Sequence, residues 1–415
     1  MPHDPALFSL LRLCMTPGLG PVLIRRAIEE FGSPDAVLAA GESGLRRIRG
    51  IGVEKSRGIL SGMRESQRAA EDELREAERA GASLVAITSP AYPPLLRQIP
   101  DPPPVLYVRG RLHPDDLDRY PVAIVGSRSC THYGIEQAER FAGALAAAGL
   151  TVVSGGARGI DTAAHRAALR MKGRTIAVLG CGLGHLYPPD NKDLFEQVAA
   201  GNGAVVSELP MRTAPDANNF PARNRIISGL SLGVLVIEAG RGSGALITAR
   251  AAVEDQGREV FAVPGRVDSA ASTGCLDLLR AGGAELVTHP DDVIQSLETP
   301  ARHLYHGTHG SRYATGGGEG LFEGPFSPPR GEKSPSEARG MRGELTFATS
   351  GPETELDSSL SETQRAILAA LDAAKTFDEL VRDTQIPAAA LRTDISLLEI
   401  KRRVKREGSK VVRAR

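Results

Sequence analysis

The sequence predicts an α/β protein: a doubly wound parallel sheet over residues 80–298, with a small helical domain before it and a winged helix after it. Three observations carry that expectation. Short apolar runs alternate with helix-length segments through the middle of the chain, which is the signature of a parallel sheet covered on both faces. Two Gly-apolar-Gly turns break the first 75 residues into helices, and three helices followed by two short strands close the sequence.

Composition sets the limits. At 415 residues the chain has room for two or three domains. No apolar stretch is long enough to span a bilayer, and the N-terminus lacks the basic-then-apolar pattern of a signal peptide, so a cytoplasmic location is expected. Cys14, Cys130, Cys181 and Cys275 are scattered without paired spacing, which argues against a disulfide framework and a cysteine-based zinc site. The nine histidines form no metal motif. With a formal net charge of zero, any affinity for nucleic acid must come from local patches.

In residues 1–75, Pro17-Gly18-Leu19-Gly20-Pro21 and Arg49-Gly50-Ile51-Gly52-Val53 each precede an amphipathic run. Gly-apolar-Gly between helices is a helix-hairpin-helix arrangement, whose backbone N–H groups can face a phosphate; tight-turn chemistry is the competing account, and two copies about thirty residues apart favour the helical domain. Strands are expected at Leu84–Thr88, Val105–Val108, Val122–Val125, Leu150–Val153, Thr175–Leu179, Ala204–Ser207, Val234–Ile237, Glu259–Val263 and Glu285–Val287. Residues 299–357 are rich in Gly, Ser, Pro and His and read as a flexible linker. In residues 358–415, helices are expected at Ser361–Leu371, Phe377–Val381 and Pro387–Leu398, then a hairpin around Glu407-Gly408-Ser409, which makes a winged helix.

In such sheets the ligand crevice lies beyond the carboxyl ends of the strands. Val125-Gly126-Ser127-Arg128 follows a strand and opens a helix, and suits a phosphate without being G-x-G-x-x-G. Ser154-Gly155-Gly156-Ala157-Arg158-Gly159-Ile160-Asp161 stands where a dinucleotide enzyme places an acidic ribose ligand, so NAD is disfavoured and no cofactor is expected. Its glycines can form an anion nest to which Arg158 adds charge, while Asp161 reads as a helix cap paired with His165 instead of half of a metal site. Gly180-Cys181-Gly182-Leu183-Gly184 is a weaker signal, and Gly240-Arg241-Gly242-Ser243-Gly244 again favours an anion before a helix. No nucleophile, base and orienting group emerge together from these turns, so the crevice reads as a binding surface.

Asn218-Asn219-Phe220-Pro221-Ala222-Arg223-Asn224-Arg225 sets an aromatic ring among guanidinium and amide groups. A residue before proline is pushed toward extended geometry, so Phe220 is expected off the following helix with its ring projecting sideways. Such a ring suits stacking on a nucleobase; the alternative is a core anchor beside solvated arginines. With a helix starting by Ala222, Arg223 and Arg225 lie about 200° apart, so only one can face a bound strand.

Gly126-Ser127-Arg128, Ser154-Gly155-Gly156-Ala157-Arg158-Gly159-Ile160-Asp161, Phe220-Pro221-Ala222-Arg223-Asn224-Arg225-Ile226-Ile227-Ser228-Gly229, Glu238-Ala239 and Val263-Pro264-Gly265, in that order, resemble the DNA-processing protein A (DprA/Smf) family. The resemblance implies an extended Rossmann-like domain with helical and winged-helix neighbours. It implies a non-catalytic protein that binds single-stranded DNA, protects it and loads the RecA recombinase during natural transformation, as a homodimer formed through the Rossmann-like domain. Carried over by position, Arg128 would hold a phosphate beside Ser154 and Gly155, Phe220 would stack on a base, and Arg158, Arg223, Asn224, Arg225 and Arg241 would complete the groove. Gly184 departs from the family, standing where many relatives carry Asp.

Two other readings compete. A phosphoribohydrolase-like enzyme on the same fold would use Glu238 or Glu254 for acid–base work on a ribosyl bond. A duplex-binding regulator would read bases through Leu391–Leu398, yet that helix offers only Arg392.

Overall fold

The computed structural model describes residues 4–114, 118–201, 203–306, 362–371, 375–384, 386, 391, 395, 398, 404–407 and 410–413. The chain forms two compact units, Met1–Arg330 and Gly331–Arg415. The first begins with α1 (Pro5–Cys14), α2 (Pro21–Phe31), α3 (Pro34–Leu38), α4 (Glu42–Leu45) and α5 (Val53–Arg79). Both Gly-apolar-Gly turns sit where the sequence puts them, before α2 and α5. These helices close around Leu10, Leu13, Ile24, Val37, Leu45 and Ile59. The last helix is longer than expected, about 40 Å at 1.5 Å per residue, and it runs past residue 75.

The central region follows as β1 (Ala82–Ala86), α6 (Pro94–Arg97), β2 (Val105–Gly110), β3 (Pro121–Val125), α7 (His132–Ala147), β4 (Thr151–Ser154), α8 (Ile160–Arg170), β5 (Thr175–Val178), α9 (Lys192–Ala200), β6 (Gly203–Ser207), α10 (Asn219–Gly229), β7 (Gly233–Val236), α11 (Gly244–Arg250), β8 (Glu259–Ala262), α12 (Thr273–Arg280), β9 (Glu285–Leu286) and α13 (Pro290–His306). All nine expected strands are present, in one sheet of order β1-β2-β6-β5-β4-β3-β7-β8-β9. Seven run parallel, but β1 pairs antiparallel with β2 and β2 antiparallel with β6, so the sheet is mixed where a parallel one was expected. Every residue of β3, β4, β5 and β7 is buried, as strands covered on both faces must be. One face packs on α6, α10, α11 and α12 through residues such as Leu96, Ile226, Ala249 and Cys275. The other packs on α7, α8 and α13, and farther along on α9 and the C-terminal half of α5.

Strand order reverses between β3 and β7, which lie side by side while their neighbours in sequence run outward in opposite directions. That is the switch point at which loops diverge and leave a crevice. Gly159 shows how tightly it is built. Its φ is +79°, and a Cβ there would lie 2.4 Å from the Ser127 carbonyl oxygen, so only glycine lets the β4–α8 turn touch the β3–α7 turn.

In the second unit α14 (Glu362–Ala370) and α15 (Phe377–Thr384) precede an antiparallel hairpin of β11 (Val404–Glu407) and β12 (Lys410–Arg413). A short β10 (Lys375–Thr376), not expected from the sequence, adds a third strand against β12. Of the third expected helix, Leu391, Ile395 and Leu398 are described; they are helical and buried, with Ile367 and Leu380 in the same core. Arg392 lies outside the described residues. Of the expected linker, residues 299–306 continue α13, and the remainder lies outside the described residues.

Candidate nucleic-acid interface

A cleft of about 830 Å³ opens at the switch point, lined by Gly126–Ser129, Ala157, Asp161, Tyr187, Phe220, Arg223, Asn224 and the Gly240–Gly244 loop. A smaller recess of about 160 Å³ adjoins it, lined by Gly155, Arg158 and Pro188. Arg128, Ser129, Ala157, Tyr187, Phe220 and Arg223 border both. The β3–α7 turn is fixed from two sides: Ser127 donates its N–H to the Glu238 carbonyl at 2.7 Å, and Ile160 donates to the Ser127 carbonyl at 3.3 Å.

The centre of the site is a stack. The Arg128 guanidinium lies over the Phe220 ring, 5.2 Å from its centroid, and Tyr187 meets the same ring at 5.7 Å and 43°. Beneath it Gly180 leaves the room, since a Cβ there would lie 2.8 Å from Phe220 Cδ1. Phe220 is half-buried and Arg128 exposed, and among the described residues no carboxylate pairs with Arg128. The expected geometry of Phe220 is corrected in one respect: α10 starts at Asn219, so Phe220 is helical. Pro221 sits in the first turn, where N–H groups have no intrahelical partner, so the helix loses no hydrogen bond by starting early. The ring still leaves the helix toward the cleft.

Arg223 is 4% exposed and donates through Nη1 to the Gly155 carbonyl at 2.8 Å and to the Val178 carbonyl. Its buried Nε has no hydrogen-bond partner among the described residues. Burial lowers its pKa to about 10, opposed by the nearby Asp161 charge, so it remains a cation at neutral pH. Its guanidinium is held by carbonyls, with no carboxylate in ion-pair contact among the described residues, and the Asp161 charge lies nearby.

Asp161 lines the cleft from α8, and its Oδ2 accepts the Ala157 N–H at 3.2 Å. Burial raises its pKa to about 6 against the pull of Arg223 and the Ala157 N–H. The expected Asp161–His165 pair is not formed. His165 Nδ1 meets Thr175 Oγ1 at 2.6 Å, Thr175 donates onward to the Val152 carbonyl, and burial followed by Arg223 lowers the imidazole pKa to about 3. Among the described residues no group of three metal-ligating side chains exists.

The remaining expected site residues divide. Asn224 lines the cleft and donates to the Gly244 carbonyl at 3.1 Å. Arg241 lines the cleft and Arg158 the recess, paired with Asp277 at 2.9 Å and Asp190 at 2.6 Å. Gly155 lines the recess, but Ser154 does not: its hydroxyl is fully buried and donates to the Ile124 carbonyl at 2.6 Å. Arg225 is not brought to the cleft either. Two carboxylates hold its guanidinium, Asp101 at 2.6 Å and Glu208 at 2.7 Å. Glu238, the enzymatic alternative's first candidate, is spent capping α7 through Thr131 N and Oγ1, both at 2.7 Å, and Glu254 is an exposed partner of Arg250. Tyr187 is the residue sequence reasoning missed; its signal was an aromatic directly after the third glycine turn.

The model of the family described as DNA recombination-mediator protein A matches residues 83–298, more than half of the chain, and that of the DprA winged helix domain matches residues 351–409. The chain belongs to the DprA/Smf family. Protein Smf of Synechocystis sp. is 43% identical over 285 residues, 68% of this chain and 70% of that one. The DNA processing protein DprA of Streptococcus pneumoniae is 45% identical over 214 residues, 51% of this chain and 73% of that one. The X-ray structure of the S. pneumoniae DprA superposes with a TM-score of 0.62 at 35% identity, covering 70% of this chain and 97% of the other. The DprA/Smf assignment makes this a DNA-processing protein, and the matched central region carries every residue of the cleft. No helix among the described residues is long and apolar enough to cross a membrane.

Proposed function

We propose that this protein binds single-stranded DNA in the switch-point cleft, shields it in the cytoplasm, and loads RecA on it during natural transformation, acting as a homodimer through the Rossmann-like domain. In this reading residues 1–75, 80–298 and 358–415 are separate domains, with 299–357 linking the last two. The observation that carries it is the Arg128–Phe220 stack facing the switch-point cleft, with the exposed Arg128 guanidinium in no ion pair among the described residues. Aromatic and guanidinium planes take any base, and the Arg128 cation takes its phosphates, which is recognition without sequence. The family's description as a recombination mediator supports the RecA step. Gel shifts with oligo-dT test the binding, and strand exchange by RecA on strands pre-coated with single-strand binding protein tests the loading. Unchanged shifts in both Phe220→Ala and Arg128→Ala would sink the site.

One observation favours a hydrolytic alternative: Asp161, with its raised pKa, lines the cleft. Release of free base from nucleoside monophosphates, abolished by Asp161→Asn, would establish it.

A further inference from the structure

The ring pair of the cleft is held from outside the sheet. Tyr187 lies in the β5–α9 loop, and Phe220 follows the segment after β6; these two loops are bonded to each other. Gly182 donates to the Thr213 carbonyl at 2.9 Å and Gly184 to the Met211 carbonyl at 3.0 Å. A Cβ on Gly182 would lie 2.0 Å from the Pro210 carbonyl oxygen, so the loops lie backbone on backbone. This double loop is anchored by α5. Glu73 Oε1 accepts the N–H of the buried Met211 at 2.6 Å, and one turn on, Glu76 pairs with Arg212 at 2.6 Å. Glu73 is itself only 6% exposed, beside Tyr107, and Leu74 and Ala77 pack in one cluster with Leu183 and Met211.

We infer that Glu73, carried by the N-terminal helical domain, is a positioning residue for the Tyr187–Phe220 pair. The inference rests on the single-strand reading for its functional consequence and on the hydrogen bond to Met211 for its mechanism. Without Glu73 a buried backbone N–H loses its acceptor, and the double loop regains freedom that stacking then has to remove. The helical domain is thus part of the binding site without touching the strand.

Full-length Glu73→Ala and Glu73→Gln are compared by hydrogen exchange without DNA and by affinity for labelled oligo-dT. Glu73→Met, which fills the space without an acceptor, replaces the alanine variant if that does not fold. Exchange in 209–220 and 180–188 is expected to rise in the Ala or Met variant and to stay near wild type in Glu73→Gln, whose amide oxygen still accepts. Affinity is expected to fall about three- to tenfold, less than removal of the ring, with the salt slope unchanged. In a Phe220→Ala background the further loss should vanish, because the two act through one contact. Unchanged exchange in those segments, or an equal loss in the Phe220→Ala background, overturns the inference. If the wild-type protein binds no oligo-dT, the single-strand reading falls, and exchange alone decides whether Glu73 positions the loops.

Discussion

Substituting Arg128 separates two things its guanidinium does at once. It lies over Phe220, 5.2 Å from the ring centroid, and it puts a charge at the cleft that no carboxylate pairs among the described residues. Arg128→Lys keeps the charge and removes the plane. Arg128→Ala removes both. Base–aromatic stacking is worth roughly 1–3 kcal/mol, so Phe220→Ala should weaken oligo-dT binding by about 5- to 100-fold. A lysine ammonium can still sit over the ring, and a cation–π layer is worth only about 0.5–1 kcal/mol, so Arg128→Lys should stay within about fivefold of wild type at every salt concentration. Arg128→Ala should cost more and also flatten the plot of log K against log salt by about 0.7, the loss of one phosphate contact on a single strand. Fluorescence anisotropy with a labelled dT oligomer across a salt series reads all three. Equal salt slopes for Arg128→Ala and wild type would refute the phosphate role. Full additivity of Phe220→Ala and Arg128→Lys would refute the stack, since touching residues should couple.

Asp161 gives a pH test. Its folded pKa is raised from 3.8 to about 6, so the native state holds a proton the unfolded state releases, and the stability this provides is present below about pH 4 and lost as pH rises through 6. Wild type should lose about 2–3 kcal/mol over that window relative to Asp161→Asn in urea titrations. Oligo-dT affinity should fall across pH 5–7 in wild type only, as an anion forms in the cleft; parallel profiles would rule this out. Arg225→Ala leaves Glu208 and Asp101 without their cation, and is expected to cost about 2 kcal/mol, discounted for partial exposure, while folded protein keeps its DNA affinity. Thermal melts and anisotropy on the same sample check both halves. Gly180→Ala should displace Phe220, whose Cδ1 lies 2.8 Å from the added Cβ, and weaken binding several-fold without changing the salt slope; a changed slope would point to a lost phosphate contact instead.

The strands were legible because burial on both faces leaves little but apolar residues, and Thr175–Val178 or Gly233–Val236 admits few other readings. Pairing direction was not, since β2 meets β6 across almost a hundred residues of chain and nothing local in Val105–Gly110 records it. Among site residues the turns placed Arg128, Arg158 and Arg241, because strand ends fix loops in space. Arg223 and Arg225, about 200° apart by helical phase, have different surroundings that depend on partners far away in sequence: Gly155, 68 positions off, and Asp101, 124 positions off. Ser154 misled because a hydroxyl at a strand end can turn to either side, and here it turns inward to Ile124.

The cover that Arg128 lays on Phe220 means that the ring does not wait bare in water. A strand entering the cleft trades one stacked plane for another, or adds to the stack, and so gains less than it would on a naked aromatic. On the proposed single-strand reading, such a surface would suit brief tenancy, accepting any base and being covered again when the strand moves on.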